Sequence, residues 1–271
     1  MREAPAELFG SHHRLYVGKH DSSISRFFIF KIDRNPFYLL PGVMDVLRRT
    51  CWSQARLDSE TTPPARVSLM EVGEILESPR PVRILTVCTG NICRSPVAER
   101  LLQAGLDQVQ PDAFVVGSAG TRAMVGDPIQ PSSADIIRTY GGTPDGFAAR
   151  QLTPKILRES DLVLAMTAKH RGEVMQMDAS LLKRTFTIRE FARMLKVLEQ
   201  RDAPTPTSDI STFWRELPGR AASVRHLALA PDASDNDVVD PYRRGQEFYD
   251  QMEDQLAPAI LAILRFARHH S

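Results

Sequence analysis

One segment constrains this chain more than any other. Ile84-Leu85-Thr86-Val87-Cys88-Thr89-Gly90-Asn91-Ile92-Cys93-Arg94-Ser95-Pro96 reads as a strand, a tight loop and the start of a helix. An apolar, β-branched run of this kind is a strand buried on both faces. After such a strand, consecutive backbone N–H groups can converge on one point, and the helix beginning near Ser95 adds its positive dipole end there. A tetrahedral phosphate fits that point. Cys88 stands at the strand end facing the same positive cluster, which favours its thiolate, a nucleophile. Arg94, six residues on, can fold back so that its planar guanidinium grips two phosphoryl oxygens. Gly90 and Asn91 are residue types that tolerate positive φ, as a loop wrapping its N–H groups inward demands. Ser95 is placed to donate to the Cys88 sulfur.

From residue 81 onward, short apolar runs alternate with amphipathic stretches, the pattern of a parallel sheet covered by helices. The runs predict four strands, Val82 to Val87, Ala113 to Gly117, Leu162 to Met166 and Thr185 to Ile188. Helices are predicted over Pro96 to Leu106, Pro131 to Tyr140, Pro154 to Glu159, Ala168 to Met175 and Glu190 to Val197. A last helix, Gln246 to about Arg268, carries one apolar face, with a kink or short break expected at Pro258. The fold class is therefore α/β, a four-stranded parallel sheet in a three-layer, doubly wound arrangement with the phosphate-binding loop after the first strand. Two stretches depart from this rhythm. Residues 1–80 form an N-terminal extension without an assigned role, and Met70 offers an alternative start near the domain spanning residues 81–271. Residues 200–237 read as an insertion with a helix around Thr212 to Leu229 and a flexible end.

Composition removes several function classes. The 34 basic and 33 acidic residues nearly cancel, so no net field draws the chain to nucleic acid or an anionic membrane surface. Cys51, Cys88 and Cys93 are the three cysteines, an odd number that favours a reducing compartment over a disulfide framework. No apolar stretch approaches the roughly 18 uninterrupted residues of a membrane span, and the first thirty residues do not read as a signal peptide, so a cytoplasmic location is expected. The GxxxxGK[ST] and GxGxxG loops are absent. The seven histidines show no ligand spacing with carboxylates, so neither a metal nor another cofactor is expected.

Cys88-Thr89-Gly90-Asn91-Ile92-Cys93-Arg94-Ser95-Pro96 resembles the signature loop of the low-molecular-weight protein tyrosine phosphatases. The likeness continues, in the family's order, through Ser118-Ala119-Gly120-Thr121, Ala149-Arg150-Gln151-Leu152, Ser160 to Met166 and Asp240-Pro241-Tyr242, covering about residues 82–268. The resemblance implies hydrolysis of protein phosphotyrosine through a phosphocysteine, with a phosphorylated protein as substrate and a tyrosine kinase acting on the same target. Cys88 and Arg94 are then catalytic, and Thr89, Gly90, Asn91, Ile92, Cys93 and Ser95 bind the phosphate. It further implies that Asp240 is the general acid and later the base, that Tyr242 flanks the substrate ring, and that Ser118 supports the loop together with Asn91 and Ser95.

Departures from the family pattern keep other readings in play. Met124 stands where a second aromatic wall is common, Arg243-Arg244 follow Tyr242, and Phe147 replaces a loop-supporting histidine. The two arginines would suit an acidic peptide or a phosphorylated polymer. Phosphoarginine phosphatases resemble the same loop but usually carry threonine at the position of Ile92. Arsenate reductases of this fold need further cysteines downstream, and none follows Cys93. A phosphate-binding module without turnover would require neither the thiolate nor the acid. Cys93 is also a candidate partner for an oxidised Cys88.

Overall fold

The computed structural model describes residues 80–201 and 209–271. Apart from Arg80, the N-terminal extension lies outside the described residues, as do residues 202–208 of the 200–237 segment. Within the described residues the elements run β1 (Val82–Cys88), α1 (Arg94–Val109), β2 (Phe114–Gly120), α2 (Pro131–Thr139), α3 (Pro154–Arg158), β3 (Leu162–Ala165), α4 (Ala168–Met177), β4 (Thr185–Thr187), α5 (Ile188–Arg201), α6 (Ile210–Ser223) and α7 (Gln246–His269).

The four strands pair in parallel in the order β2-β1-β3-β4. Alternation along each strand sorts side chains to two faces. Val82 and Ile84 of β1, Leu162 and Leu164 of β3 and Phe186 of β4 join the larger core beneath α1, α2, α5, α6 and α7. Leu85, Val87 and Val163 face a smaller core with Leu157 of α3, Val174 of α4 and Leu181. The result is three layers, helices on both faces of a buried sheet. Because β2 and β3 lie on opposite sides of β1, the crevice at the carboxyl end of β1 is the topological switch point, where open α/β sheets bind ligands.

Several boundaries shift for physical reasons. β2 extends to Gly120, so Ser118 and Gly120 sit inside the strand and pair with Thr86 and Cys88 of β1. α1 begins at Arg94, two residues before the expected start, which puts the arginine in the first helical turn. Of the kink or short break expected at Pro258, the break does not occur: α7 is continuous across it. Pro258 and Asp254 both lie on the exposed side, so the carbonyl left without its N–H donor can be met by water.

α6 falls within the segment read as an insertion, yet it contributes Ile210, Trp214, Leu217 and Ala221 to the main core. Trp214 is fully buried and meets Phe114 edge-on, with ring centroids 5.1 Å apart, and Phe266 at 6.5 Å. Trp214→Ala should lower unfolding free energy by about 3–5 kcal/mol in urea denaturation, the cost of an aromatic cavity in a packed core.

Candidate active site

The loop between β1 and α1 is built around one side-chain amide. Asn91 adopts φ 59°, the left-handed region that asparagine tolerates better than most residues. Its Nδ2 donates to Ser95 Oγ at 3.0 Å and to Ser118 Oγ at 2.7 Å, while its Oδ1 accepts from the Arg150 backbone N–H at 2.8 Å. These partners fix the direction of the remaining protons. Ser118 accepts from Asn91 and donates to Glu99 Oε2 at 2.5 Å. Ser95 also accepts from Asn91, so its own proton points to Cys88 Sγ, 3.0 Å away. The Asn91 backbone N–H donates to the same sulfur at 3.3 Å. Thus the sulfur at the end of β1 receives two hydrogen bonds from a buried, directional network. Burial raises the pKa of Glu99, while its hydrogen bond to Ser118 opposes the shift.

Gly90 is not in the positive-φ region, contrary to expectation; Asn91 alone carries that turn among residues 88–94. A Cβ on Gly90 would lie in ordinary contact, 3.8 Å from Met124 Cγ and 3.4 Å from Ile92 Cγ1, so space does not demand glycine there. At Gly120 a Cβ would come 2.4 Å from the Thr89 carbonyl oxygen, a backbone atom that cannot give way. Thr86 Oγ1 donates to the Ser95 carbonyl at 2.9 Å and ties β1 to the first turn of α1.

Asp240 reaches the loop from the other side. Arg94, only 3% exposed, pairs through Nη2 with Asp240 Oδ2 at 2.6 Å and donates from Nη1 to the Val238 carbonyl at 3.3 Å. Its buried Nε has no hydrogen-bond partner among the described residues, which leaves a donor ready for an anion. The acid-bearing segment is pinned along its length. Val238 N–H donates to the Met166 carbonyl at 2.8 Å, Val239 N–H to Gln255 Oε1 at 2.7 Å, and Arg189 Nη1 to the Asp237 carbonyl at 2.7 Å.

These groups enclose a pocket of about 310 Å3 lined by Cys88, Thr89, Gly90, Ile92, Cys93, Arg94, Arg122, Met124, Asp240 and Tyr242. Asn91, Ser95 and Ser118 are buried behind it. Cys93 contributes to both the pocket and the core. Burial, and with it the neighbouring Cys88 and Asp240, push its thiol up to about 12 against opposing hydrogen bonds from Ser133 and Tyr249, so it is neutral near pH 7. Arg122 lines the pocket and was not singled out in the sequence; its place directly after Ser118-Ala119-Gly120-Thr121 was the available signal. His170, buried and hydrogen-bonded to Thr89, was likewise missed, because the histidines were weighed only as metal ligands. Among the described residues no group of three or more His, Cys, Asp or Glu is placed to hold a metal ion, and no helix is long and apolar enough to cross a membrane.

The profile of the family described as low molecular weight phosphotyrosine protein phosphatase matches residues 83–215. The low molecular weight protein-tyrosine-phosphatase Etp of Escherichia coli strain K12 is 37% identical over 123 residues, 45% of this chain and 76% of the relative. The chain belongs to this phosphatase family. The probable family member AmsI of Erwinia amylovora is 39% identical over 102 residues, 38% of this chain and 67% of that protein. The crystal structure of Erwinia amylovora AmsI aligns over 68% of this chain and 91% of its own at 26% identity, with a TM-score of 0.47.

Phe147 is partly buried against the core with the Arg100 guanidinium 5.8 Å from its ring centroid, and the loop is held by Glu99, Ser118 and the Arg150 backbone. Arg243, at φ 58°, lays its guanidinium 5.2 Å from the Tyr242 ring centroid, and Arg244 lies 4.5 Å from that of Phe248. Of the two, Arg243 thus stacks on an aromatic ring that lines the pocket.

Asn91→Ala would strain the loop and leave Ser95, Ser118 and the Arg150 N–H short of a partner, whereas Asn91→Gly relieves only the strain. Both variants should lose about 10- to 100-fold in kcat/KM, matching roughly 1–3 kcal/mol of lost support, with Asn91→Gly unfolding at the higher temperature of the two. Steady-state kinetics and thermal melts of the pair check this.

Proposed function

We propose that this chain hydrolyses protein phosphotyrosine through a phosphocysteine, with Cys88 as nucleophile, Arg94 as phosphate clamp and Asp240 as proton donor and acceptor. The observation that carries the reading is the convergence of Cys88 Sγ, the buried and partly unpaired Arg94 guanidinium and the Asp240 carboxylate on one pocket. A pure binding module needs no such combination.

In the first step the Cys88 sulfur attacks phosphorus and the bond from phosphorus to the tyrosine oxygen breaks. Protonated Asp240 gives its proton to that oxygen, so phenol rather than phenolate departs. The loop N–H groups and Arg94 stabilise the charge spread over the phosphoryl oxygens. In the second step the Asp240 carboxylate takes a proton from water, whose oxygen attacks phosphorus. The sulfur leaves as thiolate, to which Ser95 donates, and inorganic phosphate is released. The Arg94–Asp240 pair belongs to the ligand-free state. A phosphate dianion entering the pocket replaces the carboxylate as the arginine's partner, and its negative field favours the protonated acid.

Ile92, Met124 and Tyr242 give the pocket apolar walls, which suit the flat ring of phosphotyrosine. Ile92 also argues against phosphoarginine, whose phosphatases usually place a threonine there. The substrate is a phosphorylated protein, a tyrosine kinase acts on the same target, and the setting is cytoplasmic.

Cys88→Ser should abolish turnover of a phosphotyrosine peptide in the presence of chelator. Asp240→Asn should lower kcat by about 10²- to 10⁴-fold, the usual contribution of a positioned acid. The wild-type chain should prefer the phosphotyrosine peptide over a phosphoarginine peptide. The reverse preference would reassign the substrate, and turnover retained by Cys88→Ser would overturn the mechanism.

A further inference from the structure

His170 takes no part in the steps above, yet it is buried against the loop that performs them. It is 4% exposed, in the first turn of α4, and both ring nitrogens are engaged. Nδ1 lies 2.8 Å from Thr167 Oγ1, and Nε2 lies 2.8 Å from Thr89 Oγ1. Thr167 is the N-cap of α4, and its Oγ1 already accepts the His170 backbone N–H at 3.2 Å.

That cap orients the chain of protons. The hydroxyl hydrogen of Thr167 has one acceptor among the described residues, His170 Nδ1. Donation to Nδ1 uses every polar atom of the pair, whereas a proton on Nδ1 would leave Thr167 accepting twice and its own hydrogen without a protein acceptor. The ring proton therefore sits on Nε2 and donates to Thr89 Oγ1. Thr89 lines the pocket, and its own hydroxyl hydrogen then has no acceptor among the described residues. With the opposite polarity Thr89 would donate to His170 and present lone pairs to an incoming phosphate, a repulsive arrangement.

The charge state fits this polarity. Burial and the nearby Arg94 guanidinium lower the pKa of His170 to about 4, so near pH 7 one ring nitrogen donates and the other accepts. Lys169 also opposes protonation of the ring, while Glu173 and Asp240 favour it.

We propose that Thr167 and His170 are positioning residues that turn the Thr89 hydroxyl proton into the pocket, where it donates to an oxygen of the bound phosphate ester. The proposal rests on the phosphatase reading of the same pocket, and it adds a donor outside the backbone nest and Arg94.

The test uses the full chain and two readouts that need no turnover: inorganic phosphate affinity by calorimetry, and the His170 tautomer by ¹⁵N NMR of the imidazole. KM for a phosphotyrosine peptide is measured alongside. Thr89→Val and His170→Asn should each weaken phosphate binding and raise KM by about tenfold, the value of one hydrogen bond to a charged acceptor. The double variant should be no worse than Thr89→Val alone, because His170 acts through Thr89. His170→Gln, whose amide nitrogen can stand in for Nε2–H, should recover phosphate affinity to within about twofold of wild type. The wild-type ring should be the neutral Nε2–H tautomer at pH 7. A neutral Nδ1–H tautomer, unchanged phosphate affinity in Thr89→Val, or additive losses in the double variant would overturn the proposal. If His170→Asn does not fold, Thr89→Val and the wild-type tautomer still decide it. A wild-type chain that binds phosphate with the expected tautomer but turns over no phosphoester would instead count against the phosphatase reading.

Discussion

The side-chain amide of Asn91 is the contact on which the site depends. It sits in a left-handed turn and spends both donors and its acceptor on three different elements: the first turn of α1, strand β2 and the segment leading into α3. Because the amide donates to Ser95, the serine hydroxyl is free to donate to Cys88 Sγ. Because it also donates to Ser118, that hydroxyl turns to Glu99. An amide offers two donors on one atom and an acceptor on the other, and no hydroxyl or carboxylate can reproduce that pattern. Sheet register makes the network possible: parallel pairing of Thr86 with Ser118 and of Cys88 with Gly120 brings β2 beneath the loop.

The second requirement of the proposed mechanism is that an acid arrive at the right place without belonging to the loop. Asp240 lies far along the chain, and the segment before it is fastened to β3 through Met166, to α7 through Gln255 and to α5 through Arg189. Arg94 touches the same segment at Val238 and Asp240. One guanidinium thus connects the loop after β1 to the segment that carries Asp240, and in the proposed mechanism this would link substrate entry to release of the carboxylate. Preorganisation of this kind places donors where charge develops, before the reaction begins.

Much of this was legible in the sequence because local rules and chemistry coincide there. A buried strand's end, a residue type suited to positive φ and a helix start occur within Val87 to Ser95, and the strands announced themselves by apolar runs and several helices by first-turn prolines. What escaped was set by distant pairing. The extension of β2 to Gly120 depends on β1 lying alongside, and periodicity carries no trace of it. Gly90 looked like a residue of the loop needing positive φ, but Asn91 takes that conformation and Gly90 does not. His170 reads as an ordinary histidine on a polar helix, since only the fold brings Thr89 within 2.8 Å of it. Proline rules anticipated a kink or a short break at Pro258; no break occurs, since an exposed proline leaves its orphaned carbonyl to water and the helix continues.

The most direct measurement of the central chemistry is capture of the covalent intermediate. A phosphotyrosine peptide is mixed with the wild-type chain, turnover is quenched within the first catalytic cycle, and the digested protein is mapped by mass spectrometry. A phosphoryl group on the peptide bearing Cys88, formed as fast as phenol is released, is the expected result. Phenol release with no phosphoryl group on Cys88, or with one on another side chain, would contradict nucleophilic attack by this cysteine.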